Sequence, residues 1–114
     1  MEYTQEQVNA IVTEARQEAR KAADKFFQEK LNGQDQFACG FAWVDIYGIK
    51  GNTKLGKMLK AAGVDRSDYK KCFSIWNPSE HGAQNVDTKE AGAYAAAKVF
   101  EKYGFRAYAG SRLD

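Results

Sequence analysis

Phe37 to Tyr47 reads FACGFAWVDIY, and its two alternating sets of residues are chemical opposites. Strand side chains alternate sides with period two. One face would carry Phe37, Cys39, Phe41, Trp43, Asp45 and Tyr47, and the other Ala38, Gly40, Ala42, Val44 and Ile46. The small set allows a helix to approach closely. The aromatic set requires a cover, and three are conceivable: a second layer of the same chain, a partner chain, or a flat ligand. The commonest solution is burial by the chain itself, with Phe26 and Phe27 of the preceding helix laid over the aromatic side.

Upstream, Thr4 to Leu31 reads as one long helix, with Val8, Ile11, Val12, Ala15, Ala19, Ala22, Phe26 and Phe27 at three- and four-residue steps. Thr4 with Gln7 has the capping-box spacing, and Asn32-Gly33 supplies the stop. At ~1.5 Å per residue this helix spans about 40 Å, more than a small domain needs. Its first turns are therefore expected to project and pair with another subunit. Downstream, Asn52 or Thr53 caps a short helix from Lys54 to Ala62, and Val64 to Lys70 reads as a polar connector. Lys71 to Trp76 is a second strand. Asp87 with Glu90 forms a second capping box, opening a helix over Thr88 to Tyr103 whose alanines (Ala91, Ala93, Ala95, Ala96, Ala97) suit the small face of the first strand. Phe105 to Gly110 is a last strand, followed by a short tail. The order is α-β-α-β-α-β. The expected fold is a single small α/β or α+β domain with a three-stranded sheet, residues 1–33 forming the long helix and 34–114 the compact core.

Composition narrows the function. A chain of 114 residues supports one core. The net charge of +2 supplies no strongly basic stripe, so nucleic acid is not the favoured partner. No apolar run approaches ~18 residues and no signal-peptide core is visible, so no membrane role and an intracellular location are expected. Cys39 and Cys72 both fall in predicted strands and read as buried, reduced thiols. With a single histidine and no CxxC pair, neither a metal site nor a cofactor is expected.

Two strand-to-helix loops hold the remaining polar chemistry. If the first two strands are parallel, Gly48 to Lys54 and Asn77 to Asp87 share one end of the sheet, where helix N-termini and Lys50, Lys54 and Lys89 favour an anion. The first loop does not match a P-loop. The second is long for its type and offers Asn77, Ser79, Glu80, His81, Gln84 and Asn85 as donors and acceptors. His81 is the one candidate general base, but mid-strand cysteines make poor nucleophiles. Trp43 and Trp76, with Phe41, Tyr47 and Tyr108, could form a platform that stacks bases. Arg112 would make a surface ion pair or an anion clamp.

ACGFAWV (Ala38 to Val44), SIWNP (Ser74 to Pro78), KEAGAYAAA (Lys89 to Ala97) and GSRLD (Gly110 to Asp114) together resemble a family of small proteins encoded by tailed bacteriophages. The resemblance covers roughly the last two thirds of the chain. It implies a phage product acting in the cytoplasm of a bacterial host, and it carries no catalytic residues across. The expected function is that of a non-enzymatic binding protein that sequesters or blocks a host component, working as a homodimer. Its contact residues would be Trp43, Tyr47, Trp76, Asn77, His81, Gln84, Lys89 and Arg112. The alternative is a binder of nucleotides or other small anionic ligands, and a hydrolase using His81 ranks last.

Overall fold

Thr4 opens the first helix as the sequence predicts. In the computed structural model, which describes residues 2–114, its side chain accepts from Gln7 N while the Gln7 side chain accepts from Thr4 N, and α1 runs Gln5–Leu31. Asn32 closes it in the left-handed conformation. The first turns do not project. Val8 and Ile11 are buried, the Tyr3 hydroxyl donates to Tyr103 O, and Gln5 Nε2 donates to Met58 O, so the stripe from Val8 to Ala19 is covered by the chain's own residues, while Phe26 and Phe27 are half-buried.

Four strands and two further helices follow: β1 (Gly40–Tyr47), α2 (Lys54–Ala61), β2 (Asp65–Ser67), β3 (Cys72–Trp76), α3 (Val86–Lys102) and β4 (Arg106–Leu113). The sheet order is β2-β3-β1-β4, with every neighbouring pair antiparallel. After α1, this is the β-α-β-β-α-β order of split-βαβ folds, in an α+β domain. The sequence predicts three strands, and the difference is β2, three polar residues inside the expected connector. That short strand has a large consequence. The crossover through α2 sets β2 in the direction of β1, and the β2–β3 hairpin then reverses the chain, so β3 runs against β1. The two polar loops therefore leave opposite ends of the sheet and cannot share one anion site.

The boundaries shift in three other places. Phe37 lies outside β1, 73% exposed and at φ +66°, and Cys39, just ahead of the strand, bridges to Asn85 and accepts from Asp114 N; Cys39 is an exposed thiol while Cys72 is buried. The cap of α3 is Asn85, not Asp87, because the Asn85 side chain reaches Thr88 N at 2.8 Å. The presumed tail is ordered strand: Gly110 to Leu113 pair with Trp43 to Gly40.

The core gathers on the small face. Ala42, Val44 and Ile46 of β1, Phe73 and Ile75 of β3 and Ala107 of β4 are buried with Leu59, Val99 and Phe100. α3 lies against β1 and β4, and α1 packs along α3. Small residues make both approaches close. A Cβ added at Gly92 would sit 3.0 Å from Ala19 O and 2.7 Å from Ser79 Cβ, and one at Gly40 would meet Val86 Cγ2 at 2.7 Å. Dispersion across alanine and glycine contacts therefore replaces large interdigitating side chains at this seam.

Candidate functional site: an open aromatic sheet face

With the helical packing on the small side, the aromatic side of the sheet has no second layer among the described residues. This corrects the expectation that Phe26 and Phe27 cover it: Phe27 instead rests against the His81 ring, centroids 4.9 Å apart. The helix has one apolar stripe, and α3 takes it.

Register places the residues of this face in rungs. Trp43 stands between Trp76 and Gly110, Asp45 between Ser74 and Tyr108, Phe41 opposite Arg112, and Tyr47 opposite Arg106. Trp43 and Trp76, from the two central strands, are stacked with centroids 5.5 Å apart and planes within 3°. Phe41 tilts against Trp76 at 5.5 Å, and Tyr47 meets Tyr108 edge-on at 5.9 Å. Trp43 is half-buried because its indole lies over Gly110, where an added Cβ would fall 2.5 Å from Trp43 Nε1. Trp76 and Tyr108 remain 52% and 57% exposed, so large ring area faces solvent.

The charges on this face are arranged unequally. Asp45 is 7% exposed and fully engaged: it accepts from Trp43 Nε1 at 3.2 Å, from Lys70 Nζ at 2.8 Å and from the Ser74 hydroxyl. Its charge is thus neutralised within the protein, and the same contacts fix the indole and the ammonium. Burial works against the charged form of Lys70, yet the hydrogen bond and charge of Asp45 outweigh it and hold the ammonium above its ordinary pKa. Burial, with the Asp45 charge, also raises the Tyr47 phenol. Lys70 Nζ lies 5.4 Å from the Trp43 ring, and the Arg112 guanidinium 5.4 Å from Phe41. Trp43, Lys70, Ser74, Trp76 and Arg112 line a shallow depression of about 290 Å³. The result is a stacking surface edged by cations, with its central carboxylate, Asp45, buried and paired, and Asp65 exposed at the outer edge of the same rung.

The loop residues are occupied differently. Asn77, at φ +44°, accepts from Ser79 Oγ and donates to His81 O. His81 Nδ1 accepts from Ala83 N at 3.1 Å, and Nε2 faces Asp24 at 3.3 Å, so the ring ties the loop to α1. The nearby Ser79 hydroxyl accepts from the His81 backbone N–H and donates to Asn77 Oδ1, not to the imidazole, and among the described residues no cluster of His, Cys, Asp and Glu suits a metal ion. The side chain of Gln84 is exposed, while its N–H donates to Asp35. Asp35 also takes Asn85 N, so the two N–H groups just ahead of α3 already hold a carboxylate from the same chain. Lys89 Nζ donates to Gly40 O at 2.9 Å beside Phe41. Arg112 makes no ion pair among the described residues.

Of the eight residues singled out from sequence, then, Trp43, Tyr47, Trp76 and Arg112 share the open face, Lys89 lies at its margin, and Asn77, His81 and Gln84 belong to the loop beyond it. Sequence reasoning missed Lys70, Ser74, Arg106 and Gly110. The signal for the last two was the two-residue spacing of Arg106, Tyr108, Gly110 and Arg112 in β4, visible once the final strand is extended. No helix among the described residues is long and apolar enough to cross a membrane. Comparison with family models, with characterised protein sequences and with solved structures finds no significant match, which leaves this face as the basis for a functional reading.

Proposed function

We propose that this chain is a non-enzymatic binding protein whose open sheet face stacks the bases of single-stranded nucleic acid. The observation that carries the reading is the parallel Trp43–Trp76 pair on the two central strands, with Trp76 half in solvent and Lys70 and Arg112 beside it. Aromatic rings on an antiparallel sheet, with helices confined to the other face, are a recurring platform for unstacked bases. Each stacked base contributes about 1–3 kcal/mol, with little dependence on sequence. Cations at the rim supply the phosphate contacts, and the pairing of Asp45 takes the charge nearest the tryptophans out of play. The modest net charge of +2 fits a short footprint of few phosphates rather than a long electrostatic groove. Acting as a phage product inside a bacterial host, such a protein works by occupancy: it covers a strand and needs no catalytic group.

The test is tryptophan quenching on titration with short single-stranded oligonucleotides, repeated at increasing salt. Trp76→Ala should weaken binding by about 1–3 kcal/mol, while Tyr94→Ala, an exposed aromatic on α3, should leave it unchanged. Arg112→Ala should flatten the salt dependence. Equal binding by wild type and Trp76→Ala refutes the reading. The second reading, that the same face blocks a host protein, is favoured by the exposed Trp76 and Tyr108, because aromatic anchors also dominate protein interfaces. It predicts no quenching by any oligonucleotide and retention of one bacterial protein that Trp76→Ala releases.

A further inference from the structure

We infer that the outer edge of β4 is a self-association surface, pairing two copies of this chain antiparallel about Gly110 into one eight-stranded sheet. The two edges of the sheet are unlike. β2 is three residues long, whereas β4 is eight, contains no proline, and keeps an unbroken register with β1 from Arg106 to Leu113. The N–H of Asp114 donates to Cys39 O across that ladder. By alternation the backbone groups of Tyr108, Gly110 and Arg112 therefore point to β1, and those of Ala107, Ala109, Ser111 and Leu113 point outward. None of these four makes an outward backbone bond among the described residues. A long, regular, unpaired edge is a template for another strand.

The side chains select both the occupant and the register. For the faces of two copies to agree, residues of like parity must stand opposite one another. Centring the pair on Ala109 would oppose Arg106 to Arg112 of the partner, like against like. Centring it on Gly110 opposes Arg106 to Asp114 and Tyr108 to Arg112, a carboxylate for one guanidinium and an aromatic face for the other. It opposes Ala107 to Leu113 and Ala109 to Ser111 on the helical side. All four outward residues then exchange both of their hydrogen bonds, whereas centring on Ala109 leaves Leu113 unpaired. Charge, parity and hydrogen-bond satisfaction thus agree on one arrangement. It would set two aromatic platforms side by side on a single face, so this inference stands apart from what that face binds.

Sedimentation or light scattering over a concentration series gives the test. Wild type should pass from monomer to dimer with rising concentration. Ala109→Pro removes an outward N–H that the monomer does not use, and proline is tolerated at such edge positions. It should remain folded by circular dichroism and stay monomeric throughout. Arg106→Glu should weaken the dimer at least about fivefold, and Arg106→Glu with Asp114→Lys should restore it. A wild-type monomer at every concentration, or a dimer indifferent to both the Arg106→Glu change and its reversal, overturns the proposal. The charge pair decides the matter even if Ala109→Pro fails to fold.

Discussion

Replacing Gly110 with alanine tests how firmly the aromatic face is pre-arranged. Gly110 is not held at positive φ, so alanine meets no backbone penalty there; the obstacle is the indole of Trp43, whose Nε1, Cε2 and Cζ2 would lie 2.5, 2.6 and 2.8 Å from the new Cβ. Trp43 must swing away. That would break its stack on Trp76, worth about 1 kcal/mol, and its hydrogen bond to the ionised Asp45, worth about 1.5 kcal/mol. The smaller conformational freedom of alanine in the unfolded chain returns about 0.7 kcal/mol. The net expectation is a loss of about 2 kcal/mol. In urea unfolding of a domain this size that amounts to a midpoint lower by roughly 1 M, with loss of the near-ultraviolet circular dichroism of the coupled indoles. An unchanged midpoint with the indole signal intact would refute the reasoning, since it would mean the backbone yields and Trp43 is not seated on Gly110.

Two further substitutions address the scaffold. Asn85→Ala removes a buried cap that serves Thr88 N, Thr88 Oγ1 and Gln36 O at once; a loss of about 2–3 kcal/mol in thermal or urea unfolding is expected, and a loss under about 1 kcal/mol, that of a solvated cap, would sink the account. Glu14 is held below its usual 4.5 by hydrogen bonds from Lys102 and Tyr103, and the same contact raises Lys102 above 10.5. A depressed carboxylate contributes stability above its unfolded pKa and loses it as pH falls through the folded value; a raised ammonium contributes below its unfolded pKa and loses it as pH rises through the folded one. Glu14→Gln should therefore flatten the stability profile at both the acid and alkaline ends, and an unchanged profile would contradict the pairing.

The alternation of Gly40 to Tyr47 was legible in the sequence as a strand with two unlike faces, as were all three helices and the Thr4 cap; the cap of α2 was narrowed to Asn52 or Thr53 and is Thr53. Periodicity shows that faces differ. It does not show which face the helices take, because that depends on area matching between elements far apart in the chain: the alanines of α1 found Gly92, Ala93 and Ala96 of α3 rather than the aromatic rings. β2 was illegible because Asp65-Arg66-Ser67 is a polar edge with no apolar alternation. Missing it reversed the expected direction of β3, and the loop site built on parallel strands went with it. Four of the eight candidate residues, Trp43, Tyr47, Trp76 and Arg112, share the open face; parity along the first strand was legible for Trp43 and Tyr47, whereas Arg112 stood in an expected tail that proved to be strand. Lys70 could not be found that way, since it reaches Asp45 from a hairpin whose existence followed from β2.

The position of β1 also bears on how fast the chain can fold. It is the first strand in the sequence, yet both of its neighbours come much later, β3 beyond the α2 crossover and β4 beyond α3. Among the described residues the one local strand pairing is the short β2–β3 hairpin, whose buried Phe73 and Ile75 find their core partners on other elements. Loop-closure entropy must therefore be met before the central ladder stabilises anything, which places refolding among the slower small domains, in milliseconds to about seconds rather than microseconds. During that interval β1 presents a paired set of bare edges and exposed tryptophans, the moment at which this chain is most prone to aggregate.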